Sequence, residues 1–208
     1  DLADLAREIR APDRAKKNVT RFLAAQLGSS ERFELVRDVP GRLRRALHVL
    51  SASDFLGELL IHHPEDVTAL DSAATVPLRD SPAQLSIGLD NSIRGCEVAA
   101  FPWAKEEGLD TDDKMALLRR QFRQHVIKLG AADLEEMGSI FDSLERWSSL
   151  AARAISSALA IASLDAGGPF RGLLDRYKGE LPFAILGLGR LGLSEFDLAS
   201  DADLIFIA

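Results

Sequence analysis

Apolar residues recur along most of the chain at intervals of three and four, the spacing that gathers side chains on one face of an α-helix. Val19, Phe22, Leu23 and Leu27 form such a stripe within Asp13–Leu27, closed by Gly28, and Pro12 separates it from an earlier helical stretch over residues 1–10. Residues 31–39 and 42–50 are short amphipathic pieces on either side of Pro40-Gly41, which reads as a turn. Ser51-Ala52-Ser53-Asp54 offers capping oxygens before Phe55, Leu56, Leu59 and Leu60, and Pro64 predicts that this helix ends at His62-His63. Residues 71–110, with Pro77, Pro82 and Pro102, predict a loop-rich connection holding one short helix near 82–93. Helical spacing resumes over 111–129 through Met115, Leu118, Phe122, Val126 and Leu129. The longest helix is expected over 139–164, with Ile140, Leu144, Trp147, Ala151, Ala154, Ile155, Ala158 and Leu159 on its apolar face. Gly167-Gly168-Pro169 ends it, and a short helix or turn over 170–177 leads on. The period then changes: residues 183–186 and 204–208 are short continuous apolar runs, read as two buried strands. The expected fold is mainly α, a helical array over 1–164 followed by the start of an α/β domain over 165–208.

Composition narrows the function. A net charge of −7 over 208 residues argues against a nucleic-acid-binding surface, which needs clustered Lys and Arg. Arg119, Arg120, Arg123 and Lys128 do fall together on one predicted helix; a solvated face is the simpler reading, a contact with phosphates or an acidic partner the sharper one. Cys96 is the single cysteine, so no intramolecular disulfide forms, and a reducing, cytoplasmic compartment is the default. No apolar run approaches the roughly 20 residues of a membrane span. His62 and His63 are adjacent rather than three or four apart, which favours a helix C-terminus over a metal pair. The chain opens on Asp1 and stops inside its second strand, and so reads as part of a longer protein whose sheet is truncated at Ala208.

The candidate chemistry lies between the two strands. Asp201 and Asp203, two positions apart in extended backbone, project side by side at the start of the second strand. Two adjacent carboxylates repel unless a hard divalent cation sits between them, and Mg2+ commonly takes one or two carboxylates plus water and substrate phosphates. Gly187, Gly189 and Gly192 let a backbone approach phosphate oxygens closely, and Ser200 offers a hydroxyl. Gly187-Leu188-Gly189-Arg190-Leu191-Gly192 also matches the dinucleotide fingerprint GxGxxG, whose oxidoreductase chemistry is an alternative. That fingerprint needs a long helix and an acidic residue about 20 positions on, whereas eight residues separate Gly192 from Asp201. A structural glycine turn beside a solvated Asp pair is the remaining alternative.

The run from Gly187 to Phe206, GLGRLGLSEFDLASDADLIF, resembles the catalytic motif of the glutamine synthetase adenylyltransferase/adenylyl-removing enzymes, members of the DNA polymerase beta-like nucleotidyltransferase superfamily. Residues 53–70 and 117–134 resemble, more loosely, stretches that these enzymes carry upstream in the same order. Arg190 stands where the family usually has Lys, Phe196-Asp197-Leu198 where Leu-Asn-Phe is commoner, and Leu193 where a further glycine is usual. The resemblance implies a polymerase beta-like α+β catalytic domain in which Asp201 and Asp203 bind Mg2+, and Gly187, Gly189, Gly192 and Ser200 hold phosphates of ATP or ADP. It further implies glutamine synthetase as the target, and a nitrogen-signalling regulatory protein as a second partner. Family members carry two such halves, one adding AMP to a tyrosine from ATP, the other removing it by phosphorolysis; the position of the motif near the start favours the removing half. A third carboxylate comes from a later strand in the family, so the 208 residues alone are expected to be inactive, to bind Mg2+-nucleotide weakly or not at all and to associate through their C-terminal end. A helical interaction module with a decayed motif is the alternative that Leu193 raises.

Overall fold

The computed structural model of the chain describes residues 13–71, 109–135, 138–165, 176 and 184–207; the expected helices over 1–10 and 82–93, most of the 71–110 connection and the 170–177 turn lie outside them. The described residues fall into two compact units, 13–71 with 123–135, and 109–122 with 138–207.

The first unit packs α1 (Asp13–Leu27), α2 (Ser30–Arg37), α3 (Pro40–Ala52) and α4 (Asp54–His62), followed by a 3-10 segment, Pro64–Leu70. Pro40 opens α3 at its first turn instead of making the expected turn, because its missing N–H is one that a helix start leaves unbonded anyway. Ser53 caps α4, its side chain accepting from Leu56 N, and His63, ahead of Pro64, ends it. Phe22, Leu50, Leu56, Leu60, Val67 and Leu70 make the buried centre, joined by Ile127 and Leu129 from α5 (Thr111–Glu135). Asp66, fully buried, accepts from Arg123 Nε and from Gln124 Nε2. Arg123 therefore leaves the basic stripe expected on this helix and serves an internal ion pair.

Helix α5 runs six residues past the predicted stop at Leu129. Gly130 does not end it, since a Cβ there would stand 2.5 Å from Leu56 Cδ1; the glycine permits a close approach of two packed elements instead.

In the second unit, Asp110 caps the start of α5 through Oδ1, and α6 (Ile140–Asp165) is the longest element. Its buried face passes through Trp147, Leu150, Ala151, Ala160 and Ile161. Ile140, expected on that face, is 65% exposed. Two strands follow, β1 (Ala184–Gly187) and β2 (Leu204–Ile207), paired antiparallel with Ala184 opposite Ile207 and Gly187 opposite Leu204. A one-turn helix α7, Gly189–Gly192, begins the connection between them. Both runs were expected to be buried, yet Leu186, Ile205, Phe206 and Ile207 are exposed. Two strands by themselves have too little surface to cover each other's faces.

Candidate functional site

Every candidate residue lies on the β1–α7–β2 segment. The ladder continues one step past Gly187, with Leu188 N donating to Asp203 O at 2.9 Å. This bond holds Asp203 just ahead of β2, one position outside the strand proper, and Asp201 lies two residues earlier. Both carboxylates are exposed, and among the described residues neither forms an ion pair with a cation. Two neighbouring carboxylates with oxygens open to solvent are a donor set that suits a hard divalent ion, so the residues present fit Mg2+.

The three glycines differ in how strictly the turn requires them. Gly189 has φ +54°, a left-handed conformation that costs other residues about 1–2 kcal/mol. It also faces Asp203, whose Oδ2 lies 3.8 Å from where a Cβ would stand. At Gly192 a Cβ would stand 2.4 Å from the carbonyl oxygen of Gly187, a backbone clash, so only glycine lets α7 fold back on β1. Gly187 is milder, its Cβ position lying 3.1 Å from Leu191 Cγ. The turn thus brings Gly189 beside one carboxylate and uses Gly187 and Gly192 to close itself.

Ser200 is committed locally. Its Oγ donates to Asp197 Oδ1 at 2.8 Å and accepts from Asp197 N at 3.2 Å, while its N–H donates to Asp197 O at 3.1 Å. A hydroxyl has one proton to give, and here it goes to Asp197. The same Oδ1 accepts from Ala199 N at 3.0 Å, and Oδ2 lies 2.7 Å from Arg190 Nη2. The Ser200 hydroxyl, the Ala199 amide and the Arg190 charge hold the Asp197 carboxyl below its usual range, against an opposing contribution from partial burial. Sequence reasoning missed the pairing of Arg190 with Asp197 because neither is periodic with the other; their opposite charges, seven positions apart with Gly192 between, were the available signal. Leu193, 71% exposed with φ −91°, occupies an ordinary conformation, and the non-glycine residue held left-handed there is Ser194 at φ 59°.

The dinucleotide alternative fails on geometry. Its fingerprint opens a long helix joining parallel strands, whereas α7 has four residues and β1 and β2 are antiparallel. A second cluster, His63, Glu65 and Asp66, brings ligand atoms within 4.8 Å of one another. Both Asp66 oxygens are already taken by Arg123 and Gln124, and His63 ends α4 as expected, so the cluster is structural. No helix among the described residues is long and apolar enough to cross a membrane.

A strand–turn–strand unit presenting two solvent-open carboxylates, one of them beside a left-handed glycine, is a candidate cation site. The profile of the family described as glutamate-ammonia ligase adenylyltransferase matches residues 43–208, and the chain belongs to that family. Among curated relatives, a bifunctional glutamine synthetase adenylyltransferase/adenylyl-removing enzyme of Mycobacterium avium is 27% identical over 201 residues, covering 94% of this chain and 18% of the relative. Proteins of the same name from Stenotrophomonas maltophilia and Bifidobacterium longum subsp. infantis are 28% and 29% identical, each covering 94% of this chain. The chain thus spans under a fifth of these relatives' length, 18% of the first and 19% and 18% of the others. No solved structure matches it significantly.

Proposed function

We propose that this chain contributes the first metal-binding carboxylates of a polymerase beta-like nucleotidyltransferase that acts on glutamine synthetase, removing AMP from an adenylylated tyrosine by phosphorolysis within a protein that also adds it from ATP. The observation that carries the reading is the placement of Asp201 and Asp203, both open to solvent, with Asp203 fixed beside Gly189 by the Leu188 N–Asp203 O bond. Family membership and the names of the relatives support the substrate class. Asp201 and Asp203 would hold Mg2+, which in this chemistry neutralises phosphate charge and aligns attacking and leaving oxygens. The role of the chain is positioning: the ladder fixes one carboxylate, and the absence of a side chain at Gly189 leaves space beside it for a phosphate. Cytoplasmic action, in a reducing compartment, fits the single cysteine.

The test is release of ADP from adenylylated glutamine synthetase in the presence of phosphate and Mg2+, by the longer protein that contains this chain. Asp201→Asn and Asp203→Asn should each lower turnover by about a thousandfold or more, since each removes a charge from the site of greatest charge development. Turnover unchanged in both variants would refute the reading.

A further inference from the structure

The first half of the loop between α7 and β2 is closed by the bonds of one arginine. Arg190 Nε donates to Glu195 O at 3.1 Å while Glu195 N donates to Arg190 O at 2.7 Å, so α7 and residue 195 are closed into a ring. The same guanidinium reaches Asp197 Oδ2. The other oxygen of Asp197 takes the Ser200 hydroxyl and the Ala199 amide, and Ser200 is the residue before Asp201. A continuous run of bonds therefore leads from the glycine turn through Arg190 and Asp197 to the backbone that carries Asp201. The loop is also anchored from below, with Phe196 N donating to the oxygen of Ser148, a buried residue of α6, at 3.0 Å.

An exposed ion pair contributes little stability, typically about 0–1 kcal/mol, and this one is half open to solvent. Its larger effect is geometric. A carboxylate on a loose loop spends much of its time away from its partner, and a divalent ion held by two carboxylates loses affinity in proportion to that lost population. Resting on the metal-site reading of Asp201 and Asp203, we infer that Arg190 and Asp197 are positioning residues that hold the Asp201 carboxylate in register with Asp203, and that Ser200 acts as the strut between Asp197 and Asp201 and not as a phosphate donor. Arg190 and Asp197 touch neither metal nor substrate in this scheme.

The experiment is a Mn2+ titration of the longer protein that contains this chain, followed by the electron paramagnetic resonance signal of free Mn2+, with Asp201→Asn as reference. Wild type binds, and Asp201→Asn removes the binding that this site contributes. Arg190→Ala and Asp197→Ala each weaken Mn2+ affinity about tenfold, the double variant is no weaker than either single one because both break the same link, and Arg190→Lys recovers most of the loss. Thermal melting of all these variants stays within a few degrees of wild type, so a general loss of folding does not account for the change. Wild-type affinity in Arg190→Ala and Asp197→Ala, with that binding still absent from Asp201→Asn, overturns the positioning role alone. So does failure of Arg190→Lys to recover binding, or additive losses in the double variant. No Mn2+ binding by wild type, or binding indifferent to Asp201→Asn, overturns the metal-site reading and this inference with it.

Discussion

Substituting Gly192 by Ala tests whether the glycine turn is closed by packing. The new Cβ would stand 2.4 Å from the Gly187 carbonyl oxygen and 3.2 Å from its carbon, so α7 and the end of β1 must separate by about 1 Å to reach ordinary contact. The neighbour is backbone, which cannot rotate away as a side chain does. Overpacking of this kind costs about 1–3 kcal/mol, and Ala regains up to about 1 kcal/mol over Gly in a helix, leaving roughly 1–2 kcal/mol of net destabilisation. For a chain of this size that corresponds to a fall of about 2–8 °C in Tm, read by circular dichroism. The same displacement moves Gly189 relative to Asp203, and an error near 1 Å at a reacting centre costs about a hundredfold in turnover. Gly187→Ala is the internal comparison: its Cβ would meet Leu191 Cγ at 3.1 Å, a half-exposed side chain that can yield, so its Tm should stay near wild type. Equal Tm for the two variants, or a larger loss for Gly187→Ala, would refute the packing argument. A Gly187→Ala protein with normal Tm but weakened nucleotide affinity would assign that glycine to phosphate approach instead.

Two further outcomes follow from the same geometry. Ser194→Gly should raise stability by about 1 kcal/mol in urea denaturation, because Ser194 holds φ 59° at a cost glycine does not bear, whereas Leu193→Gly, at an exposed residue with negative φ, should leave stability nearly unchanged while tightening nucleotide binding. The Arg21 hydrogen bonds and charge hold the Glu58 carboxyl below its usual range; a depressed pKa adds stability above the ordinary Glu value, about 4.3, that is lost as pH falls through the folded-state pKa below it, so Glu58→Gln should flatten the acid limb of a Tm-against-pH curve below about pH 4.5 and leave its slope at pH 6–8 unaltered.

The helices were legible where a single local cause sets each end. Gly28 after Leu27, the Ser53 cap and Pro64 after His63 each act within one turn, and the structure has α1 and α4 ending or starting there. The misreadings share a different origin. Pro40 looked like punctuation but sits where a helix tolerates it, and the helix expected to stop at Leu129 runs on through Gly130, which lies where the Leu56 side chain leaves no room for a Cβ. Whether a glycine ends a helix or lets another element approach depends on a contact 74 positions away in sequence, from Leu56 to Gly130, which no window of neighbouring residues contains. Ile140 is the same error on a helix face: apolar spacing fixes the width of a stripe, but the partner that covers it decides which residues are buried.

The candidate site divides along the same line. Two carboxylates at period two and three closely spaced glycines are chemical features visible in any twenty-residue window, and they identify the segment. The bonds that fix their geometry are not visible there. Ser200 looked like a free hydroxyl beside the acidic pair because its position next to Asp201 is local, while its actual use depends on the Asp197 carboxylate turning back three residues and on Arg190 reaching over from α7. A hydroxyl that is already a donor to a carboxylate cannot also donate to a phosphate unless that bond breaks. Because Arg190 holds the same carboxylate through its other oxygen, losing the Ser200 bond would still leave Asp197 in place, so the strut can open without the clamp. The order of failure is then fixed by the structure: Ser200→Ala should loosen Asp201 less than Asp197→Ala does, since the first removes one link of the chain and the second removes the point where three of them meet.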